Sequence, residues 1–77
     1  ITDAHLRIAE ALQFPDHYGK NLDALFDCLA EICKPVAVTL FGTSALTAAL
    51  GSYGSMMLRV FSDAAAENPN LSVEIAD

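Results

Sequence analysis

The sequence predicts a small α/β domain in which a parallel sheet is flanked by four helices. Apolar periodicity gives the order helix, loop, helix, strand, helix, helix, strand, and the strand-helix-strand connections imply parallel pairing with right-handed crossovers. The run Val36–Phe41 is short, nearly unbroken and apolar, as suits a strand covered on both faces. A length of 77 residues, against the ~150 of a typical domain, leaves room for one domain over residues 1–77. Such a chain buries only roughly 60 to 65 % of its unfolded surface, so its 53 % apolar content has to gather into one core.

Thr2 can cap a first helix, on which Ala4, Ile8 and Leu12 repeat every four residues as an apolar stripe and His5 falls on the outer side. Pro15 stops it. The stretch from Phe14 to Asn21 mixes turn formers with two aromatic rings and reads as an ordered loop or a single turn. Asn21 caps a second helix reaching about Cys33, with Leu22, Leu25, Leu29 and Ile32 inward. After the strand, Gly42 breaks the pattern and Thr43 or Ser44 can cap a short helix through Leu50. Ser52 begins a fourth helix with Met57, Leu58, Phe61 and Ala65 inward, and Asn68-Pro69-Asn70 forces a turn. Leu71 to Ile75 alternates apolar and polar, a last strand with one wet face. No repeat or linker interrupts the chain.

Ten acidic residues against four basic ones give a net charge of −6, which repels phosphate backbones and argues against direct nucleic-acid binding. A basic partner fits better. Cys28 and Cys33, five apart, point about 140° from each other on one helix and should not bridge. They read as small apolar core groups in a reducing compartment. No apolar run approaches the ~20 residues of a membrane span and no leader is visible, so a cytoplasmic protein with no membrane contact is expected. The start at Ile1 rather than Met suggests that something upstream was removed or not included.

Asp23 and Asp27 lie four apart on one helix face, where like charges cost a few tenths of a kcal/mol, with no Lys or Arg three or four residues away within the helix; Lys20, three before Asp23, falls in the preceding loop. This is either a solvated face or one that meets a cationic site. His17, Tyr18, Asn21 and Phe26 surround the pair in sequence, and Asp63 on the fourth helix can add a carboxylate. Each has two readings. His17 and Tyr18 either pack on helix stems or contact a partner, and Phe26 is a core edge or an interface anchor. Asp63 either pairs with Arg59 or reaches outward, while Glu31 reads as solubilising. Two carboxylates and a histidine can run acid-base chemistry, and Asp23, Asp27 and His17 could hold a metal. The chain nevertheless lacks a Gly-rich phosphate loop, a nucleophile elbow and a His-x-x-x-His pair, and is too small for a deep closed pocket. An unneutralised acidic face that steers a cationic protein surface is the stronger reading. Neither catalysis nor a cofactor is expected.

The segment Phe14-Pro15-Asp16-His17-Tyr18-Gly19-Lys20-Asn21-Leu22-Asp23-Ala24-Leu25-Phe26-Asp27-Cys28-Leu29 resembles the hallmark of the barstar family. Weaker likeness runs through Pro35 and the following strand, and from Val60-Phe61-Ser62-Asp63-Ala64 to the closing strand. The resemblance implies a three-stranded parallel sheet with four helices, and an immunity-type inhibitor of a basic, extracellular-type, barnase-like ribonuclease. It also implies that the second helix and its preceding loop plug the nuclease site. Asp27 then matches the family's central aspartate, which engages the basic catalytic residues, and Asp23 a second acidic contact. Asn21 and Gly19 match interface loop positions, Asp63 a glutamate that reaches a peripheral cation, and Ala30 and Glu31 extend the face. His17 and Phe26 stand where the prototype has Tyr and Trp.

Four departures accompany this likeness. The family's first strand is expected to be missing before Ile1, either because an upstream segment was lost or because another chain supplies it; Lys20 brings a cation into an acidic loop, Ile32 replaces a second Trp, and the turn before Pro35 is about one residue shorter. An absent strand would leave a sheet edge open to self-association. The altered set His17, Phe26 and Ile32 supports an alternative, a barstar-like interaction module whose target is not a nuclease.

Overall fold

A computed structural model describes residues 2–76. The elements follow in the order α1 (Thr2–Leu12), α2 (Leu22–Ala30), β1 (Val36–Phe41), α3 (Thr43–Leu50), α4 (Ser52–Glu67) and β2 (Leu71–Ala76). The two strands pair in parallel, from Val36 opposite Leu71 to Phe41 opposite Ala76, as the connecting helices require. The proposed Thr2 cap lies outside the described side chains.

The α2 stripe is buried as its spacing demands. Leu25 and Leu29 are fully enclosed and meet Met57, Phe61 and Ala64 of α4, with Leu71 of β2 and Tyr18 of the loop completing the core. Each large apolar side chain removed from water contributes about 1.5 to 3 kcal/mol, so α2 and α4 hold one another. Ala4, Ile8 and Leu12 pack half-buried against this core. α1 ends through Gln13, whose φ of 58° is left-handed, as the Phe14 N–H turns back to the Ala9 carbonyl at 2.9 Å.

Several expectations are corrected. His5 does not lie on the outer side of α1: it is 0 % exposed, because two tyrosine hydroxyls satisfy its ring nitrogens. β1 is not covered on both faces. Val36, Val38 and Leu40 are half-buried, whereas Ala37 and Thr39 are exposed and Phe41 is 76 % exposed. Ile75, on the otherwise inward side of β2, is 51 % exposed. α2 ends at Ala30 instead of near Cys33, which leaves Cys33 exposed rather than in the core. The cap of α3 is Gly42, in a left-handed conformation at φ 67°, not Thr43 or Ser44.

The early end of α2 has a distant cause. The last carbonyls of a helix lack partners within it, and here the buried Asn68, at the α4–β2 turn, supplies them. Its Nδ2 donates to the carbonyls of Leu29 at 2.9 Å, Ala30 at 3.3 Å and Ile32 at 3.0 Å, while its Oδ1 accepts from the Asn70 N–H at 3.0 Å. One side chain therefore terminates α2 and shapes the turn into β2.

α3 and α4 approach closely at Gly54. A Cβ there would lie 3.0 Å from the Leu46 carbonyl oxygen and 3.2 Å from the Thr47 Cα, backbone atoms that cannot swing aside. Overpacking costs about 1 to 3 kcal/mol, against about 1 kcal/mol gained by removing glycine from a helix interior. Gly54→Ala is therefore expected to destabilise by about 1 kcal/mol net, read as a lower urea midpoint at unchanged slope.

Candidate functional site

The loop into α2 is built by short-range hydrogen bonds. The Tyr18 N–H donates to the Pro15 carbonyl at 3.0 Å and closes a turn, and the rings of Phe14 and Tyr18 meet at 5.1 Å. Asn21 then works in two directions, donating from Nδ2 to the Gly19 carbonyl at 3.2 Å and accepting the Ala24 N–H at 2.8 Å. It is the N-cap that its residue type predicts. Between them Lys20 takes a left-handed φ of 54°, a conformation costing of order 1 kcal/mol or more outside glycine.

From this capped start, Asp23, Asp27 and Glu31 recur every fourth residue, all exposed. Among the described residues neither Asp23 nor Asp27 nor Glu31 is held in an ion pair; the pairs are Arg7–Asp3 and Arg59–Asp63. The row is left uncompensated, at the level where the loop folds back on α2. His17, Gly19, Asp27 and Glu31 line one open recess of about 230 Å³ together with Pro15, Tyr18, Ala24 and Cys28. Cys28 registers the local potential: burial pushes its thiol pKa up, and the charges of Glu31 and Asp27 push it the same way. A thiol so disfavoured as thiolate is a poor nucleophile.

The remaining candidates stand apart from this recess. Ala30 is exposed one residue before the α2 cap, Glu31. Phe26 is half-buried and packs against the core, so its ring serves first as a core edge. Asp63 is exposed on α4, 3.9 Å from the Arg59 Nε, a surface pair worth at most about 1 kcal/mol. Among the described residues no group of three His, Cys, Asp or Glu could hold a metal, and no helix is long and apolar enough to cross a membrane.

A family model described as "Barstar (barnase inhibitor)" matches residues 1–76. The chain belongs to the barstar family. A protein of Bacillus subtilis (strain 168), described as "Putative ribonuclease inhibitor YrdF", is 39 % identical over 64 residues, covering 82 % of this chain and 70 % of its own. The four helices and two parallel strands are those of a barstar-like fold, and the loop and the acidic row lie within the matched residues.

Beyond the sequence-derived candidates, the site draws in His5 and Tyr53. His5 Nδ1 lies 2.6 Å from the Tyr18 hydroxyl and Nε2 lies 2.7 Å from the Tyr53 hydroxyl, which ties the barstar-type loop to α1 and α4. Burial, then the nearby Cys28 and Tyr53, push the Tyr18 pKa up to about 12. A weak signal was present: His5 adjoins the Ala4 and Ile8 stripe, and Tyr53 begins α4. Periodicity does not reveal which polar side chains find each other across elements.

Proposed function

We propose that this protein inhibits a basic, barnase-type ribonuclease by laying α2 and the loop from Pro15 to Asn21 into its cationic active site. The observation that carries this is the uncompensated row Asp23, Asp27, Glu31 beside an open recess. A nuclease cleft that holds phosphate presents dense positive charge and hydrogen-bond donors. Carboxylates on a capped helix satisfy them and offer no bond to cleave. Long-range attraction between the two surfaces raises the association rate. Asp27 is the central contact, Asp23 and Glu31 flank it, His17, Gly19 and Asn21 form the loop side, and Phe26, Ala30 and Asp63 make peripheral contacts. Residues 1–77 act in this reading as one non-catalytic unit. It works in the cytoplasm, where a cell that makes a toxic nuclease needs protection.

The test is titration of the protein into purified barnase cleaving a fluorogenic RNA substrate. Activity is expected to fall to zero near one equivalent, with an association rate that drops as salt rises. Full cleavage at a tenfold excess of protein in low salt would overturn the reading.

A further inference from the structure

Three elements meet at His5: α1 carries the imidazole, the recognition loop brings Tyr18, and α4 brings Tyr53. The imidazole is 0 % exposed, its ring centroid 5.7 Å from that of Tyr18 and 6.0 Å from that of Tyr53. From there the contacts continue without a gap. Tyr18 adjoins Gly19, the Gly19 carbonyl accepts from Asn21, and Asn21 accepts the Ala24 N–H in the first turn of α2. Tyr18, Gly19 and Ala24 line the same recess as Asp27, so the back of the candidate site rests on a chain that begins at Tyr53.

A neutral imidazole has one N–H donor and one acceptor. Tyr18 is buried, and among the described residues its hydroxyl has no hydrogen-bond partner but His5 Nδ1. The Tyr18 O–H therefore donates to an unprotonated Nδ1. His5 Nε2–H then donates to the Tyr53 oxygen, and the half-buried Tyr53 can turn its own hydroxyl proton outward. This tautomer, assigned from burial, satisfies every buried nitrogen. A second proton on the ring would turn Nδ1 into a donor facing the Tyr18 O–H, and the phenol would lose its acceptor.

We propose that Tyr53, acting through His5, is a positioning residue for the partner-binding loop: neutral His5 holds Tyr18 and the Asp27 recess in the receiving shape, and a proton on His5 releases them. The partner in this statement is that of the proposed ribonuclease inhibition, on which it rests. The groups facing His5 are the Tyr18 phenol from the loop and the Tyr53 phenol from α4, with the Cys28 thiol of α2 beyond them, close enough to act on Tyr18. None is an anion at neutral pH. On α1 itself, Asp3 is engaged by Arg7 at the surface, and among the described residues no carboxylate is paired with His5. Burial accordingly lowers the His5 pKa. The sign follows from proton counting. Below the ~6.5 of a free histidine the unfolded or released state binds the proton before the closed one does, so closure weakens as pH falls through that value toward the folded pKa.

The test compares wild type with Tyr53→Phe, which keeps the ring and removes only the hydroxyl. Amide hydrogen-exchange protection of Tyr18 and Ala24 in the free protein is referenced to amides in the middle of α4, and barnase affinity is measured alongside. In wild type the relative protection of Tyr18 and Ala24 is expected to fall between pH 8 and pH 5. In Tyr53→Phe it is already lower at pH 8, with barnase affinity reduced about three- to tenfold, the scale of one buried hydrogen bond, and the change with pH shrinks. His5→Gln, which can donate and accept but does not titrate, should retain protection and lose the pH dependence. Equal loss of protection in the loop and in α4, or flat wild-type protection between pH 8 and pH 5, would overturn the proposal, as would unchanged barnase affinity in Tyr53→Phe. If the exchange effects appear but wild type does not bind barnase, the inhibitor reading falls and the loop-positioning role stands.

Discussion

Asp27→Ala is expected to weaken binding to a barnase-type ribonuclease by more than about 2 kcal/mol, the threshold of an interface hot spot and roughly thirtyfold in Kd. Asp27 is the middle carboxylate of three on one helix face, and it alone of Asp23 and Asp27 reaches the recess. On the proposed reading a cationic side chain of the nuclease seated there would meet both Asp27 and Glu31, which line the same recess, so removing Asp27 would leave that cation desolvated and undercompensated. Folding should not suffer. The side chain is exposed and makes no ion pair among the described residues, and relief of like-charge repulsion within α2 gains a few tenths of a kcal/mol. Calorimetry together with urea unfolding therefore separates the two roles: affinity drops while the unfolding midpoint holds or rises. Asp63→Ala is the internal control, expected to lose less than about 1 kcal/mol, since Asp63 is solvent-exposed and shares its charge with Arg59. An Asp27→Ala loss no larger than that of Asp63→Ala would remove the acidic row from the centre of the interface.

What could be read from the chain alone divides along a physical line. Contacts set by spacing within one element were legible: the Asn21 cap, the Leu22, Leu25, Leu29 stripe, the Asp23 and Asp27 face, and the Arg59 to Asp63 pair are all i to i+3 or i+4 relations. The parallel pairing of β1 and β2 followed from the intervening helices. Contacts between elements were not legible. His5 looked like a surface residue because its partners, Tyr18 and Tyr53, lie 13 and 48 positions away. Cys33 looked like core because its helix was extended toward Pro35, when a side chain 39 positions beyond Leu29 ends that helix first. The apolar run of β1 promised two covered faces, yet alternate residues face solvent. In each case a polar group from elsewhere, or uncovered surface, decided the outcome rather than local propensity.

Asn68→Ala should lower folding stability by about 2 to 3 kcal/mol, the upper range for stripping the partner from buried backbone groups. The amide bridges three carbonyls at the end of α2 and one N–H in the turn before β2, and an alanine methyl satisfies none of them. A domain this small has roughly 4 to 12 kcal/mol of total stability, so the melting temperature should fall by about 10 to 20 °C. Asn68→Asp sharpens the argument because it keeps the shape. At neutral pH a carboxylate cannot donate, and it sets a negative charge against carbonyl oxygens at the negative end of the α2 dipole, so it should destabilise at least as much as alanine. Lowering the pH to protonate that carboxyl should recover part of the difference, since the acid regains one donor. The damage is expected to be local at first: the start of α2 stays capped by Asn21, whereas Glu31 at its far end loses its support. Wild-type stability in Asn68→Asp would show that water, not this side chain, satisfies the end of α2.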